Sequence, residues 1–414
     1  MRYIYSLILY LIAPFIPLYL NKRAKKNPDY ALYWSERFGF GLQNNITRPI
    51  IWIHAVSVGE TRAIAKLVEL IESNYPNYQI LLTQMTPTGR HTAKTLYPNA
   101  HLHYIPYDMP HAVINFYKTF KPALGLIMET EIWPNLIFYA KKFQTPLFLI
   151  NARLSDRSFN SYYKVRFMMR PILNNLTGIL CQDKNSANNF KQLGFNGQLD
   201  IIGNTKFDII IDKKKYNVLA QFLKGSDNKR KIVAFASTRD GEEKLILDAL
   251  PNNLEYLILI IPRTPERFSA VEELIINKNL KYQKRSDNLA LKEDTQVLLG
   301  NSLGEMFAYY LMSDIAVIGG SFVDLGGQNL IEPLYLHKPV IFGPSMYNFL
   351  QISKDALDIN CAIQATNIAE CFVLIDKLFK HPTEYQNLSA NCNKFISCYQ
   401  GASQKTINHI KKFL

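Results

Sequence analysis

The sequence predicts an α/β protein built from two doubly wound parallel-sheet domains in tandem. Three observations predict it. From residue 50 onward, short and almost continuously apolar runs alternate with runs of helical spacing. That rhythm weakens once, in a polar stretch around residues 207–230, and then restarts. Both halves also open in the same order: strand, Ser or Thr, Gly-Glu, helix. Strands apolar on both sides belong to a parallel sheet whose two faces are covered by crossover helices.

At the start of the chain, "YIYSLILYLIAPFIPLYL" (3–20) is apolar throughout and runs directly into "NKRAKK". It predicts a membrane anchor over 1–21. Its length is at the lower edge for crossing a bilayer, and Pro14 and Pro17 would kink a helix, so spanning and interfacial courses both fit. A cleaved signal peptide does not, because the charge lies after the run and no small-x-small site closes it. Lys22, Arg23, Lys25 and Lys26 favour a cytoplasmic position for the domain after them and attract anionic lipids.

An N-terminal domain over 22–210 then carries the strand runs "PIIWIHAV", "YQILLTQM", "ALGLIM", "PLFLINA", "GILCQ" and "LDIIGN". Residues 211–230, with "DKKK" and "KGSDNKRK", suit a linker. A C-terminal domain over 231–395 repeats the pattern with "KIVAFAS", "YLILIIP", "TQVLLG", "DIAVIGG" and "KPVIFG". Residues 396–414 suit a closing helix, for which a return to the N-terminal domain is one open course.

At 414 residues, 48% hydrophobic and 20% charged, the chain is long enough for two cores. Its net charge of +13, from 47 Lys+Arg against 34 Asp+Glu, favours an acidic partner: nucleic acid, anionic lipid or a phosphorylated substrate. No zinc-finger or RNP-type signature supports nucleic acid. Five scattered cysteines without a CxxC pair predict neither a disulfide framework nor a zinc site, and fit a reducing compartment. His101 and His103 read as exposed polar residues, since no ligand cluster adjoins them. A Walker A motif and GxGxxG are both missing, which argues against a P-loop NTPase or a dinucleotide oxidoreductase. Asp-x-Asp, the usual clamp for a metal-bound sugar diphosphate, is missing too.

In doubly wound sheets, ligands bind outside the carboxyl ends of the strands, so the strand-to-helix turns carry the information. "VGGSFVDLGGQNLIEP" (317–333) offers Gly319, Gly320, Gly326 and Gly327 for close backbone approach to an anion. Asn329 suits a helix cap there, and Glu332 suits the two hydroxyls of a ribose. "IPRTPERF" presents Arg263 and Arg267 for a phosphate or a base edge. "GNSLGEMF" places Gly304, Glu305 and Met306 where backbone groups can read a pyrimidine.

In the first half, "GLIMETEIWPN" puts Glu129 and Glu131 before a helix with Pro134 in its first turn. "INARLS" and "GNTKFD" bring Arg153 and Lys206 to the same sheet edge. Ser57-x-x-Glu60 fits a capping box and equally fits a base aimed at a hydroxyl; the local pattern does not choose. The stretch "RLSDRSFNSYYKVRFMMR" (153–170), with Arg153, Arg166 and Arg170, suits acceptor phosphates and a membrane, or an amphipathic helix on the sheet.

Taken together, "WIHAVSVGE", "METEIWPN", "NARLS", "GNTKFD", "PRTPER", "GGQNLIEP" and "GPSMYNF" resemble the 3-deoxy-D-manno-octulosonic acid (Kdo) transferases of Gram-negative lipid A assembly. They occur in family order across nearly the whole chain, anchor included. The resemblance implies a GT-B architecture, two Rossmann-like domains facing a cleft that holds the active site. It implies CMP-Kdo as donor substrate, a lipid A precursor (lipid IVA) as acceptor, inversion at the anomeric carbon, and no metal or other cofactor. It places the enzyme in lipopolysaccharide biosynthesis, on the cytoplasmic face of the bacterial inner membrane.

By motif, Glu60 would be the general base, with Glu129 and Lys206 stabilising the transition state. CMP would be held by Pro262, Arg263, Gly304, Glu305, Met306, Leu330, Ile331, Glu332 and Pro333, with Asn329 in the same loop. Family members often carry His where this chain has Arg239, Thr264 and Gln328. Thr and Gln can hydrogen-bond but cannot become imidazolium, so donor contacts and pH response differ. Two other readings remain: a transferase or epimerase of the same architecture using a UDP-sugar, and a non-catalytic membrane carrier of lipid A. Competition between CMP and UDP separates the first of these. How many Kdo residues are added is not written in the sequence.

Overall fold

The computed structural model describes residues 2–225, 229–251 and 253–414. Seven strands form the first sheet: β1 (Ile50–His54), β2 (Gln79–Gln84), β3 (His101–Tyr104), β4 (Leu124–Met128), β5 (Leu147–Ala152), β6 (Gly178–Cys181) and β7 (Gln198–Ile201). Their order is β3-β2-β1-β4-β5-β6-β7, and every neighbouring pair is parallel. The second sheet contains β8 (Ile232–Thr238), β9 (Leu257–Pro262), β10 (Tyr282–Lys284), β11 (Val297–Leu299), β12 (Ile315–Ile318), β13 (Val340–Phe342) and β14 (Ala362–Gln364). Its order is β10-β11-β9-β8-β12-β13-β14, again all parallel.

Every strand expected from an apolar run is present. Three more, β3, β10 and β14, were not among those runs, and all three are sheet edges. An edge strand is short and covered on fewer sides, so it lacks the continuous apolar signature. The β3 edge is blunted by Glu36, whose carboxylate accepts the Tyr104 N–H at 2.7 Å and pairs with Arg90. His101 and His103 lie on this edge half-buried rather than exposed, His103 against the Phe120 ring at 4.9 Å.

The central strands explain the first sheet's two cores. Every residue of β1 and β4 is buried. Trp52, Phe116, Leu136 and Phe190 pack on one face of the first sheet, while Ile53, Leu67, Phe148 and Ile407 pack on the other. Gly125 in β4 makes room for this packing. A Cβ there would come within 2.5 Å of Leu147 Cδ1 and 2.8 Å of the Trp52 ring.

The chain divides into two compact units, one comprising residues 1–210 with 399–414, the other residues 211–398. The Ala402–Ile410 helix belongs to the first unit, where Ala402, Ile407 and Ile410 join the core. Asp208 fixes its start by accepting the N–H groups of Gly401 and Ser403, both at 2.6 Å. The expected linker is a helix for much of its length: Lys213–Lys224 belongs to the second unit, with Ala220 and Leu223 buried. The lysine run masked that helical spacing. Residues 226–228 of the same stretch lie outside the described residues.

At the N-terminus, helices Arg2–Ile12 and Ile16–Ala24 are joined by a 3-10 turn, Ala13–Phe15. Pro14 sits in the first positions of the turn and Pro17 in those of the second helix, where a missing N–H costs nothing. The prolines are absorbed at helix starts instead of breaking the segment.

Gly125→Ala should destabilise the first unit by about 1–3 kcal/mol through overpacking against Trp52 and Leu147. Denaturant unfolding followed by Trp fluorescence would measure it; an unchanged midpoint would contradict the packing described here.

Candidate active site

In the first sheet the strand order reverses between β1 and β4, so the loops leaving their carboxyl ends flank a crevice suited to ligands. Glu60 lies in the first turn of the helix that follows β1, and Glu129 in the turn that follows β4. Ser57 is the N-cap of the Val58–Ala63 helix, its Oγ accepting the Glu60 N–H at 3.3 Å. The carboxylate folds back: Oε1 accepts from the Ser57 hydroxyl at 2.9 Å and Oε2 from the Val56 N–H at 2.9 Å. The capping box is therefore real, shifted by one residue, since the box ordinarily returns to the N-cap's own N–H. A carboxylate has about four acceptor sites, so two bonds leave capacity for a hydroxyl proton.

Glu60 is only 9% exposed. Burial raises its pKa to about 7; the Val56 N–H and Ser57 hydroxyl pull it down, while the carboxylates of Glu129 and Glu131 push it up. A carboxylate half-ionised near neutrality is matched to accepting a proton from an alcohol.

Glu129 occupies a left-handed backbone conformation, φ +56°, fixed by its N–H donating to the Ile150 carbonyl at 3.0 Å. Its Oε1 meets Lys206 Nζ at 3.2 Å, both side chains about one-third exposed. The Lys206 turn is braced from below. Asn204 accepts the Lys206 N–H at 3.0 Å and donates to Gln182; Gln182 donates to the Asn151 carbonyl, and Asn151 accepts the Thr205 N–H. Glu131 accepts from the Trp133 indole at 2.7 Å, and burial raises its pKa. Glu60, Glu129 and Lys206, distant in sequence, thus converge at one sheet end, with Glu131 close enough to act on Glu60 electrostatically.

Arg153 leaves the end of β5 exposed, its carbonyl accepting from Thr130 Oγ1. The 153–170 stretch is two helices, Asp156–Lys164 and Arg166–Leu173, not one. Arg166 stacks on Tyr163, 4.6 Å from the ring centroid, and the stem of Arg170 lies over Gly194.

In the second unit the order reverses between β8 and β12. Here Gly319 passes so close to β8 that a Cβ would lie 2.4 Å from the Ser237 carbonyl oxygen, and Gly320 has φ +67°. One buried carboxylate holds this loop. Glu242 accepts N–H groups from Gly320 at 2.7 Å, Phe322 at 3.1 Å and Arg239 at 3.1 Å. The repeated Gly-Glu step is visible in the sequence, but it assigns Glu242 no role; an acid in the turn after a strand is the only signal there. The 324–327 turn is clasped in turn by Ser345, which accepts the Gly326 N–H, and by Asn348, which donates to Leu325.

The donor candidates divide by chemistry. Arg263 follows Pro262 at the end of β9, exposed, with Nε donating to Gln328 at 3.3 Å. Arg267, offered with Arg263 for a phosphate or a base edge, is instead paired with Glu243 at 3.0 Å and with Asp240. Gly304, φ +78°, and Met306 flank Glu305, whose carboxylate is held by Arg285 at 2.8 and 2.9 Å and by Ser302 at 2.6 Å. Only backbone groups there remain for reading a base, and the Gly304 carbonyl already accepts from Tyr216. Leu330, Ile331 and Pro333 are buried, so they too present backbone alone, whereas Glu332 is half-buried. Asn329 accepts the Ile331 N–H at 3.0 Å, at the start of the Ile331–Tyr335 helix.

The family model and the full-length relatives point to one family. Residues 33–209 match the family described as 3-Deoxy-D-manno-octulosonic-acid transferase (kdotransferase). The chain is 32% identical over 421 residues to the 3-deoxy-D-manno-octulosonic acid transferase of Haemophilus influenzae, covering 100% of this chain and 99% of that one. It is also 32% identical over 432 residues to the Bordetella pertussis protein of the same description, with the same coverage of 100% and 99%. Among solved structures, UDP-GlcNAc 2-epimerase from Neisseria meningitidis superposes with a TM-score of 0.58 at 15% identity, covering 88% of this chain and 100% of that one. At that identity the likeness shows the fold, the GT-B type of two doubly wound units.

Two measurements test the geometry without any substrate. The carboxyl 13C resonance of Glu60 should titrate near pH 7, moving to higher pH in Ser57→Ala and to lower pH in Glu129→Gln. A midpoint near 4.5 would mean the carboxylate is solvated. Glu242→Ala strips partners from three N–H groups and should cost at least about 3 kcal/mol, read as a lower unfolding midpoint of the second unit.

Proposed function

The chain belongs to the Kdo transferase family, and we propose CMP-Kdo as its donor and lipid IVA, a lipid A precursor, as its acceptor. Kdo transfer is a glycosyl transfer. In this reading an acceptor hydroxyl oxygen forms a bond to the anomeric carbon of Kdo while the bond from that carbon to the CMP phosphate breaks. The electron pair leaves with CMP, and the hydroxyl proton passes to Glu60. A single displacement of this kind inverts the anomeric carbon.

The observation that carries the proposal is Glu60 itself: a buried carboxylate at a sheet's ligand-binding end, with pKa about 7 and acceptor sites to spare. Glycosyl transfer builds positive charge on the sugar and negative charge on the leaving phosphate. Glu129 and Lys206, already paired at 3.2 Å, supply one group of each sign. In the second unit, Arg263 and the backbone of the 304–306 and 330–333 turns are assigned to CMP, and Glu332 to the ribose hydroxyls. Arg153, Arg166 and Arg170 are assigned to the acceptor's phosphates. The place of reaction is the cytoplasmic face of a bacterial inner membrane, where the N-terminal segment meets anionic lipids.

Incubating the full chain with CMP-Kdo and lipid IVA, and reading product masses, tests donor, acceptor and number of sugars together. Product heavier by whole Kdo units, with CMP released, is expected; donor left intact would overturn the proposal. Glu60→Gln should lower turnover by about 10²–10⁴ while CMP affinity and Tm are nearly kept. In the parent protein, kcat/KM should fall as pH drops below about 7, because the base must be ionised in the free enzyme. The linkage has the opposite sign for stability. The folded pKa lies above the ordinary 4.5, so Glu60's contribution is full at low pH and is lost as pH rises through 7.

A further inference from the structure

We propose that the N-terminal helical segment lies flat in one leaflet of an anionic bilayer and does not cross it. This deepens the membrane localisation given above and rests on it. The Arg2–Ala24 stretch is long and apolar enough to span, with 23 residues. Its surface, however, is divided lengthwise. Ser6 and Leu20 are buried and Leu9, Ala13, Ile16 and Ala24 half-buried, at helical spacing from one end to the other. On the opposite stripe Ile4 (56%), Leu7 (59%), Leu11 (66%), Phe15 (65%) and Leu18 (65%) are exposed. A helix that left the globular body to cross a bilayer would be uncovered on every side.

Both ends are also tied to the same unit. Arg2 donates to Asn135 Oδ1 at 2.9 Å and its guanidinium lies 3.8 Å from the Phe138 ring centroid. Asn135 in turn donates to Ser6 at 3.0 Å and to the Asp108 carbonyl at 2.6 Å. Midway, Tyr10 shares a hydrogen bond of 2.9 Å with His111. At the far end Arg23 sits over Tyr30 at 4.3 Å. Twenty-three residues extend about 34 Å, enough to carry Arg2 across a hydrocarbon core of roughly 30 Å. With Arg2 and Arg23 both bound to one globular body, that crossing does not occur. The exposed stripe is the face a leaflet would take up.

Charge selects the lipid. Lys22, Arg23, Lys25 and Lys26 are exposed where the apolar stripe ends, so the surface pairs an apolar ridge with a basic terminus, as interfacial helices do on anionic headgroups. Phe40, 56% exposed, extends the apolar surface through His111, on which Tyr10 also stacks.

The test uses the full chain with Cys398, the exposed cysteine, replaced (Cys398→Ser). A fluorophore is attached in turn to Ile4→Cys, Leu11→Cys and Leu18→Cys, and its depth is measured with lipid-borne quenchers in phosphatidylglycerol–phosphatidylethanolamine vesicles. The expected result is one shallow depth for all three positions, with binding at least about tenfold weaker on neutral phosphatidylcholine vesicles. Leu11 at the bilayer centre with Ile4 in the opposite leaflet would overturn the flat placement while leaving the membrane localisation standing. Failure to co-sediment with either vesicle would overturn both. Equal binding to the two vesicle types would overturn the choice of anionic lipid.

Discussion

A carboxylate taken out of water must find N–H groups or hold its proton, and much of this protein's architecture turns on how that demand is met. Glu60 and Glu242 stand at equivalent steps, each after a Gly at the first strand-to-helix turn of its sheet. Glu242 accepts three backbone N–H groups and has almost no acceptor capacity left; it is a clamp for the glycine loop. Glu60 accepts one N–H and one hydroxyl, and keeps company with two other acids. The same residue type at the same step makes three backbone bonds in one unit and keeps acceptor capacity in the other. The difference lies in the number of donors each loop delivers.

Parallel sheets impose the geometry around these acids. Because every strand runs the same way, all carboxyl ends emerge together, and the reversal of order at β1/β4 and at β8/β12 opens a gap between diverging loops. Residues 60, 129 and 206 meet for this reason, not through any local spacing. The left-handed Glu129 and the Asn151–Gln182–Asn204 network show that the arrangement is held from beneath. A charged pair held in this way presents its charges without first rearranging. Of the residues assigned to CMP in the proposal above, most present backbone, an arrangement compatible with the sequence departures at Arg239, Thr264 and Gln328.

The termini of the chain are used as structural parts. The closing helix completes the core of the first unit, and Asp208 fixes where it begins. At the other end, a segment whose composition fits both a spanning and an interfacial course carries one less exposed stripe, anchored on Asn135 and Asp108.

The tandem doubly wound class, the central strands and the loops worth inspecting were all legible in the order of residues. Continuous apolar runs, glycine-rich turns and Ser-x-x-Glu are local signals, and local signals survive without coordinates. Hidden from that reading were the edge strands β3, β10 and β14, whose half-covered positions need no apolar run, and the helix within the lysine-rich 213–224 stretch. Arg267 also looked like a ligand, because nothing local announces that Glu243 and Asp240 will be its neighbours. Between capping and titrating, Glu60 is placed only by folding: its pKa depends on burial and on charges brought in from Glu129 and Glu131, and those distances exist only once the chain is folded.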